Sequence, residues 1–171
     1  AIHYENMSIA LAESVANQGQ GFISSMAFGN GGTSVDPTGI ITYLTPNSTG
    51  TNASLYNQTF TKIVDDRSVS NLDPQRNKIE TRHVNGTNYT DVVVTCLLDY
   101  GEPNGQDATD TASASDSLYV FDELGLVSYA SSGTGKLLTH VIFHPVQKSL
   151  NRLIQIDYTV RVQSLTGFNE G

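Results

Sequence analysis

Four arrangements in this 171-residue chain have the residue types for chemistry. His140 and His144 stand four apart, the spacing that brings two imidazoles to one metal on a helix. Pro145 and β-rich neighbours favour a strand instead, where rise of about 3.3 Å per residue separates them by about 13 Å, too far for one ion. Both histidines therefore read as surface or interface residues. Asp65-Asp66-Arg67 offers a carboxylate pair, but adjacent residues on an extended chain face opposite ways, so it reads as a solvated strand end. Gly133-Thr134-Gly135-Lys136 has the tail of a phosphate loop, yet Ala130 and Leu137 occupy its first glycine and hydroxyl positions, and β-formers follow where a helix is required. Gly29-Asn30-Gly31-Gly32 permits close backbone approach, but the chain runs on to Pro37 instead of opening a helix on an anion.

Other chemistry is thinner still. Asp107, Asp110 and Asp116 lack the alternation and glycine of a calcium loop. The single Cys96 lies in the apolar run Val92–Leu98, with no His or basic neighbour in sequence to lower its pKa, and reads as a buried hydrophobe. No nucleophile elbow, H-E-x-x-H or C-x-x-C pattern occurs, so neither catalysis nor a cofactor is expected. Six N-x-S/T triplets follow from a composition with 13 Asn, 17 Ser and 18 Thr. Only 15% of residues are charged, with 9 basic against 17 acidic and no basic cluster, which argues against nucleic-acid and anionic-membrane partners. No apolar run approaches a membrane span of about 18 residues, and no basic-then-apolar leader opens the chain.

The elements that must position these residues are mostly strands. A weakly apolar helix is predicted from about Ser8 to Asn17, with Met7, Leu11, Ser14 and Val15 on one face; so short a helix must lie on its own sheet or on another subunit. An arm over residues 1–21 and one antiparallel β domain over 22–171 follow. Gly39–Thr45 reads as a strand, and Ser54–Asp65 as a possible helical turn leading into the strand Thr59–Val64. Lys78–Val84 and Thr90–Tyr100, joined through Asn85-Gly86, read as a hairpin whose second strand is central. Gly101–Ser115 is a long loop, Ser117–Tyr129 a strand pair or a strand bent at Gly125, and Lys136–Val146 another strand. Leu153–Gln163 alternates cleanly, with Ile154, Ile156, Tyr158, Val160 and Val162 facing the core. The fold class expected is mainly β: an antiparallel β-sandwich or curled sheet with a short N-terminal helix.

Three segments together carry a resemblance. Phe22–Gly32 (FISSMAFGNGG) resembles the apolar segment and "A-x-G-x-G" loop that open tail-collar and fibre-attachment domains of tailed bacteriophages. Leu55–Phe60 (LYNQTF) stands at the place of that family's "L-x-N-x-x-x" segment. Phe121–Leu126 (FDELGL) resembles its "N-E-[IV]-G-L-F" element, with Asp122 for Asn and Val127 for Phe. Leu138–Val146 and Leu153–Val162 resemble paired strands of small phage virion proteins. Members usually continue into a fibre shaft, whereas this sequence stops at Gly171.

The resemblance implies a structural virion protein, a non-enzymatic neck or collar subunit present as a ring or trimer of identical copies against portal, connector, tail or capsid proteins. A capsid decoration protein and a receptor- or carbohydrate-binding β-sandwich are the alternatives, the latter with Tyr89, Tyr100, Tyr119 and Tyr129 as a platform. Candidate interface residues are Met7, Leu11 and Val15 on the helix, Phe28, Gly29, Gly31 and Gly32 at the glycine loop, and Phe121, Asp122, Glu123 and Leu124. For the latter two groups, a turn and a strand bend within one core is the competing reading. If the leading segment only joins copies, removing Ala1–Gln20 should leave a folded monomer.

Overall fold

The computed structural model describes residues 1–103 and 118–165; Asp107, Asp110 and Asp116 lie outside them. Within that range the chain is mainly β: helix α1 (Tyr4–Val15) precedes strands β1 (Ile23–Gly29), β2 (Thr33–Val35), β3 (Ile41–Tyr43), β4 (Gln58–Ile63), β5 (Lys78–His83), β6 (Tyr89–Leu98), β7 (Leu118–Ser128), β8 (Val141–Ser149) and β9 (Ile154–Gln163). All pairings between them are antiparallel.

A four-stranded sheet in the order β4-β1-β7-β8 faces a three-stranded sheet in the order β5-β6-β9, while β2 and β3 form a separate hairpin. The core lies between the sheets. Met26, Phe28, Phe121, Leu124 and Leu126 enter it from one side, Val94, Cys96, Leu98 and Val160 from the other. Tyr119 is fully buried there, its ring 5.6 Å from that of Phe121. This is the sandwich the alternating strands foretold.

Strand β6 is the central strand, and its Val93, Val94, Cys96, Leu97 and Leu98 are buried on both parities. On β9 the alternation holds: Ile154, Ile156 and Tyr158 are half-buried and Val160 is buried, while Gln155, Asp157, Thr159 and Arg161 are exposed. Only Val162 departs, being exposed at the strand end. Cys96 is buried, and burial pushes its thiol up to about 12.

Several boundaries differ from the sequence reading, for identifiable reasons. Helix α1 starts at Tyr4 instead of Ser8, because His3 caps it: the His3 Nδ1 accepts the Asn6 N–H at 3.1 Å. Of the two places open to this helix, its own domain is where it lies, with Ala10 buried in the core and Met7 against it. Ahead of it, His3 N–H donates to Leu138 O, His140 N–H donates to Ala1 O, and Ile2 bridges Thr139. The stretch before β8 is thus occupied by a second short antiparallel ladder, and β8 begins at Val141, not Lys136. No helical turn forms at Ser54, because the amides of Tyr56 and Asn57 are turned to a carboxylate on another strand. Of the segment expected as a strand pair or a bent strand, Leu118–Ser128 is one strand, β7, unbroken at Gly125.

Candidate functional site

The most polar part of the interior lies where β1, the Leu55–Asn57 segment and β7 meet. Strand β7 is apolar apart from Asp122 and Glu123 in its middle and Ser128 at its end. Two consecutive residues on a regular strand point to opposite faces. Here the pairing of β7 with β8 shifts register between Phe121 and Glu123, a bulge that lets both carboxylates serve one loop. A second irregularity, between Phe28 and Gly29 on β1, bends the other side of the junction.

Backbone amides fill both carboxylates. Asp122 Oδ1 accepts Gly32 N–H at 2.8 Å; its Oδ2 accepts Thr33 N–H at 3.0 Å and the Thr33 hydroxyl at 2.5 Å. Glu123 Oε2 accepts Gly31 N–H at 3.0 Å and Asn57 N–H at 2.9 Å, while Oε1 accepts Tyr56 N–H at 2.9 Å. The remaining partner of Oε1 is His140 Nε2 at 2.8 Å. His140 Nδ1 accepts Asn47 N–H at 2.7 Å, so the ring proton sits on Nε2 and points at the carboxylate. Both side chains are wholly buried. Burial pushes the Glu123 carboxyl up, but hydrogen bonds from His140, Asn57, Tyr56 and Gly31 outweigh it and hold the group below the ordinary glutamate range.

The glycines are there because backbone must come this close. A Cβ on Gly29 would stand 2.3 Å from Asn57 O and 2.6 Å from Glu123 Oε2. The loop thus behaves as an anion cradle, its successive amides converging on negative charge, and the anions are the protein's own side chains.

This corrects one reading of the sequence. His140 is not a surface or interface residue; it is fully buried as the partner of Glu123, whereas His144 is exposed. Among the described residues no group of three His, Cys, Asp or Glu gathers as metal ligands. Asp65-Asp66-Arg67 forms a turn after β4, Asp65 Oδ1 accepting Arg67 N–H, and Gly133–Lys136 is a bend with no helix after it.

The candidate interface residues divide. Phe28, Phe121 and Leu124 are buried, with the Phe28 and Phe121 rings edge to face at 5.3 Å, and Phe28 and Gly29 pair with Leu124 and Glu123 across β1 and β7. Gly31, Gly32, Asp122 and Glu123 bind one another. Within one chain these eight form a single junction, the arrangement of the competing reading. On the helix, Met7 is half-buried against the core, while Leu11 and Val15 are exposed. Sequence reasoning singled out His140 and the Leu55–Phe60 segment but did not place His140, Tyr56 or Asn57 against Glu123. A signal existed: two acids in the middle of an apolar strand demand buried donors.

Lys148 is a second buried charge. Its ammonium donates to Asp99 O, Glu102 O and Ser149 O at 2.8–2.9 Å, tying β8 to the end of β6, and burial lowers its pKa. No protein-family model, curated protein or solved structure matches the chain.

Proposed function

We propose that this chain is a non-enzymatic structural subunit of a tailed-bacteriophage virion, a neck- or collar-type brick that assembles with identical copies and with other virion proteins. The observation that carries the proposal is convergence. The three segments bearing the tail-collar resemblance are far apart in sequence, and their amides and carboxylates meet at Asp122 and Glu123 through Gly31, Gly32, Tyr56 and Asn57. Motif residues that lock a loop to a strand are what a shaped brick needs. The same locking supports the non-enzymatic reading, since Glu123 and His140 have their polar atoms committed to the chain and no surface open to a substrate.

Mass spectrometry of gradient-purified phage particles, with electron microscopy of the purified protein, tests this. The expected result is the chain among particle proteins and rings or trimers on the grid. A protein absent from particles and turning over a metabolite would overturn it.

One observation favours a carbohydrate-binding role. A cleft of about 400 Å³ is lined by Ser24, Ser54, Gln58, Thr61 and Tyr129, whose ring stacks on Phe22 at 5.0 Å. Hydroxyls beside an aromatic face suit a sugar. Glycan-array binding abolished by Tyr129→Ala would establish this reading.

A further inference from the structure

Strand β9 is the longest strand with an open edge. It pairs with β6 alone, and among the described residues no other backbone group hydrogen-bonds to its backbone. It contains no Pro or Lys, and its two charges, Asp157 and Arg161, are of opposite sign. Other edges are less open: β8 carries Pro145, and the edge strands β4 and β5 have six residues each, with Lys78, Glu80 and Arg82 on β5.

The outward backbone of β9 can be assigned. Ser164 N–H donates to Asn88 O, continuing the register in which Gln163 faces Tyr89. Hydrogen-bonded and non-bonded pairs alternate in an antiparallel ladder, so even-numbered residues of β9 bond to β6. Gln155, Asp157, Thr159, Arg161 and Gln163 then turn their N–H and C=O groups to the open side.

We propose that this edge pairs with the β9 edge of a second copy of the chain, antiparallel about a two-fold axis at Thr159, joining two three-stranded sheets into one. Charge selects the register. With Thr159 opposite Thr159 of the second copy, Asp157 faces Arg161 and Arg161 faces Asp157. Sliding one strand by four residues, which centres Asp157 or Arg161, sets like charges opposite one another and destabilises a sheet. A two-residue slide, which centres Tyr158 or Val160, pairs neither charge with its opposite. On the inner face the same register sets Tyr158 against Val160 and Ile156 against Val162, the apolar side chain that the single chain leaves exposed. Asp157 makes no ion pair within the described chain. Arg161 is already held rigid, bonded through Nε and Nη2 to Asp91 and lying 3.8 Å over the Tyr89 ring, so little side-chain freedom is left to lose. The inference stands on this edge and does not need the virion reading.

The test is oligomeric state and cross-linking of the full chain. Light scattering should report a dimer or an even-numbered ring built from such pairs, and Thr159→Pro, which removes an outward N–H, should undo the pairing and leave the circular dichroism spectrum unchanged. Asp157→Arg, at a position with no ion pair to lose, should weaken dimerisation at least about tenfold by setting like charges opposite. Directly opposed residues sit about 5.5 Å apart at Cα, within disulfide range. Thr159→Cys should therefore cross-link under mild oxidation and Gln155→Cys should not; Cys96, buried, stays out of the reaction. A monomeric wild type, an Asp157→Arg variant that dimerises normally, or equal cross-linking at both positions overturns the proposal.

Discussion

Glu123 and His140 hold each other at 2.8 Å with neither side chain touching water. The imidazole donates its Nε2–H to the carboxylate while Asn47 N–H occupies its other nitrogen, and three backbone amides take the rest of the carboxylate. Each member therefore loses one buried partner if the other is removed, and keeps the backbone amides that hold it. The pair ties β7 to the segment that pairs with Ala1–His3, and so couples the glycine loop to the amino-terminal ladder.

Glu123→Gln should destabilise the fold by about 3 kcal/mol, because the amide puts a donor where only acceptors fit and strands buried N–H groups. At about 2–4 °C per kcal/mol for a chain of this size, thermal denaturation should shift by roughly 6–12 °C. His140→Ala should cost less, since Glu123 keeps its three amides, and the double variant should fall short of the sum.

The pH dependence follows from the sign of the Glu123 shift. Its carboxyl is held below the ordinary range in the folded chain, so between that value and about 4.3 the unfolded chain binds more protons. The stability it contributes is complete above the unfolded value and is lost as pH falls through the folded one. Urea midpoints measured from pH 7 to pH 3 should drop steeply for the wild type and less steeply for Glu123→Gln. Some slope should remain in the variant, because the exposed Asp36 and the half-buried Asp91 are lowered as well.

Gly125→Ala should cost about 2–3 kcal/mol. Its new Cβ would stand 2.3 Å from Thr139 O, a backbone atom pinned between β7 and the bridge to Ile2. Urea unfolding measures this directly, and a change under 0.5 kcal/mol would falsify the close-approach account.

Removal of Ala1–Gln20 should now unfold the domain, the reverse of the outcome expected from sequence. His3 and Asn6 are fully buried and Ala10 nearly so, and Asn6 Nδ2 donates to Leu137 O at 2.9 Å. His3→Ala alone should cost about 2 kcal/mol, from the lost cap and the lost bond to Gly50 O. Far-ultraviolet circular dichroism of the truncated chain separates the two outcomes.

Lys148→Met should destabilise by about 2–3 kcal/mol even though it removes a buried charge, because three carbonyls lose their common donor. Hydrogen exchange at Asp99–Glu102 should accelerate more than exchange in β9.

The strands were legible where one period ran undisturbed. On β9 five alternating residues gave a buried face, and on β6 a doubly apolar run gave the sandwich centre. The site was half legible. Its glycine loop, its Leu55–Phe60 segment and its acidic strand stood out singly, but nothing in a linear pattern says that Gly31 lies against Glu123, 92 positions away. His140 was misread because strand spacing excludes a shared metal without revealing the acid 17 residues upstream. The helix start was missed because histidine is an uncommon cap, and β2 because three residues are too few to show a period.

The cradle at Gly31–Thr33 has a consequence for what can dock there. Its amides are already bonded to Glu123 and Asp122, so they are not free to cradle inorganic phosphate or a nucleotide. A neighbour that docked there would be spared the ordering entropy that a slack glycine turn would demand.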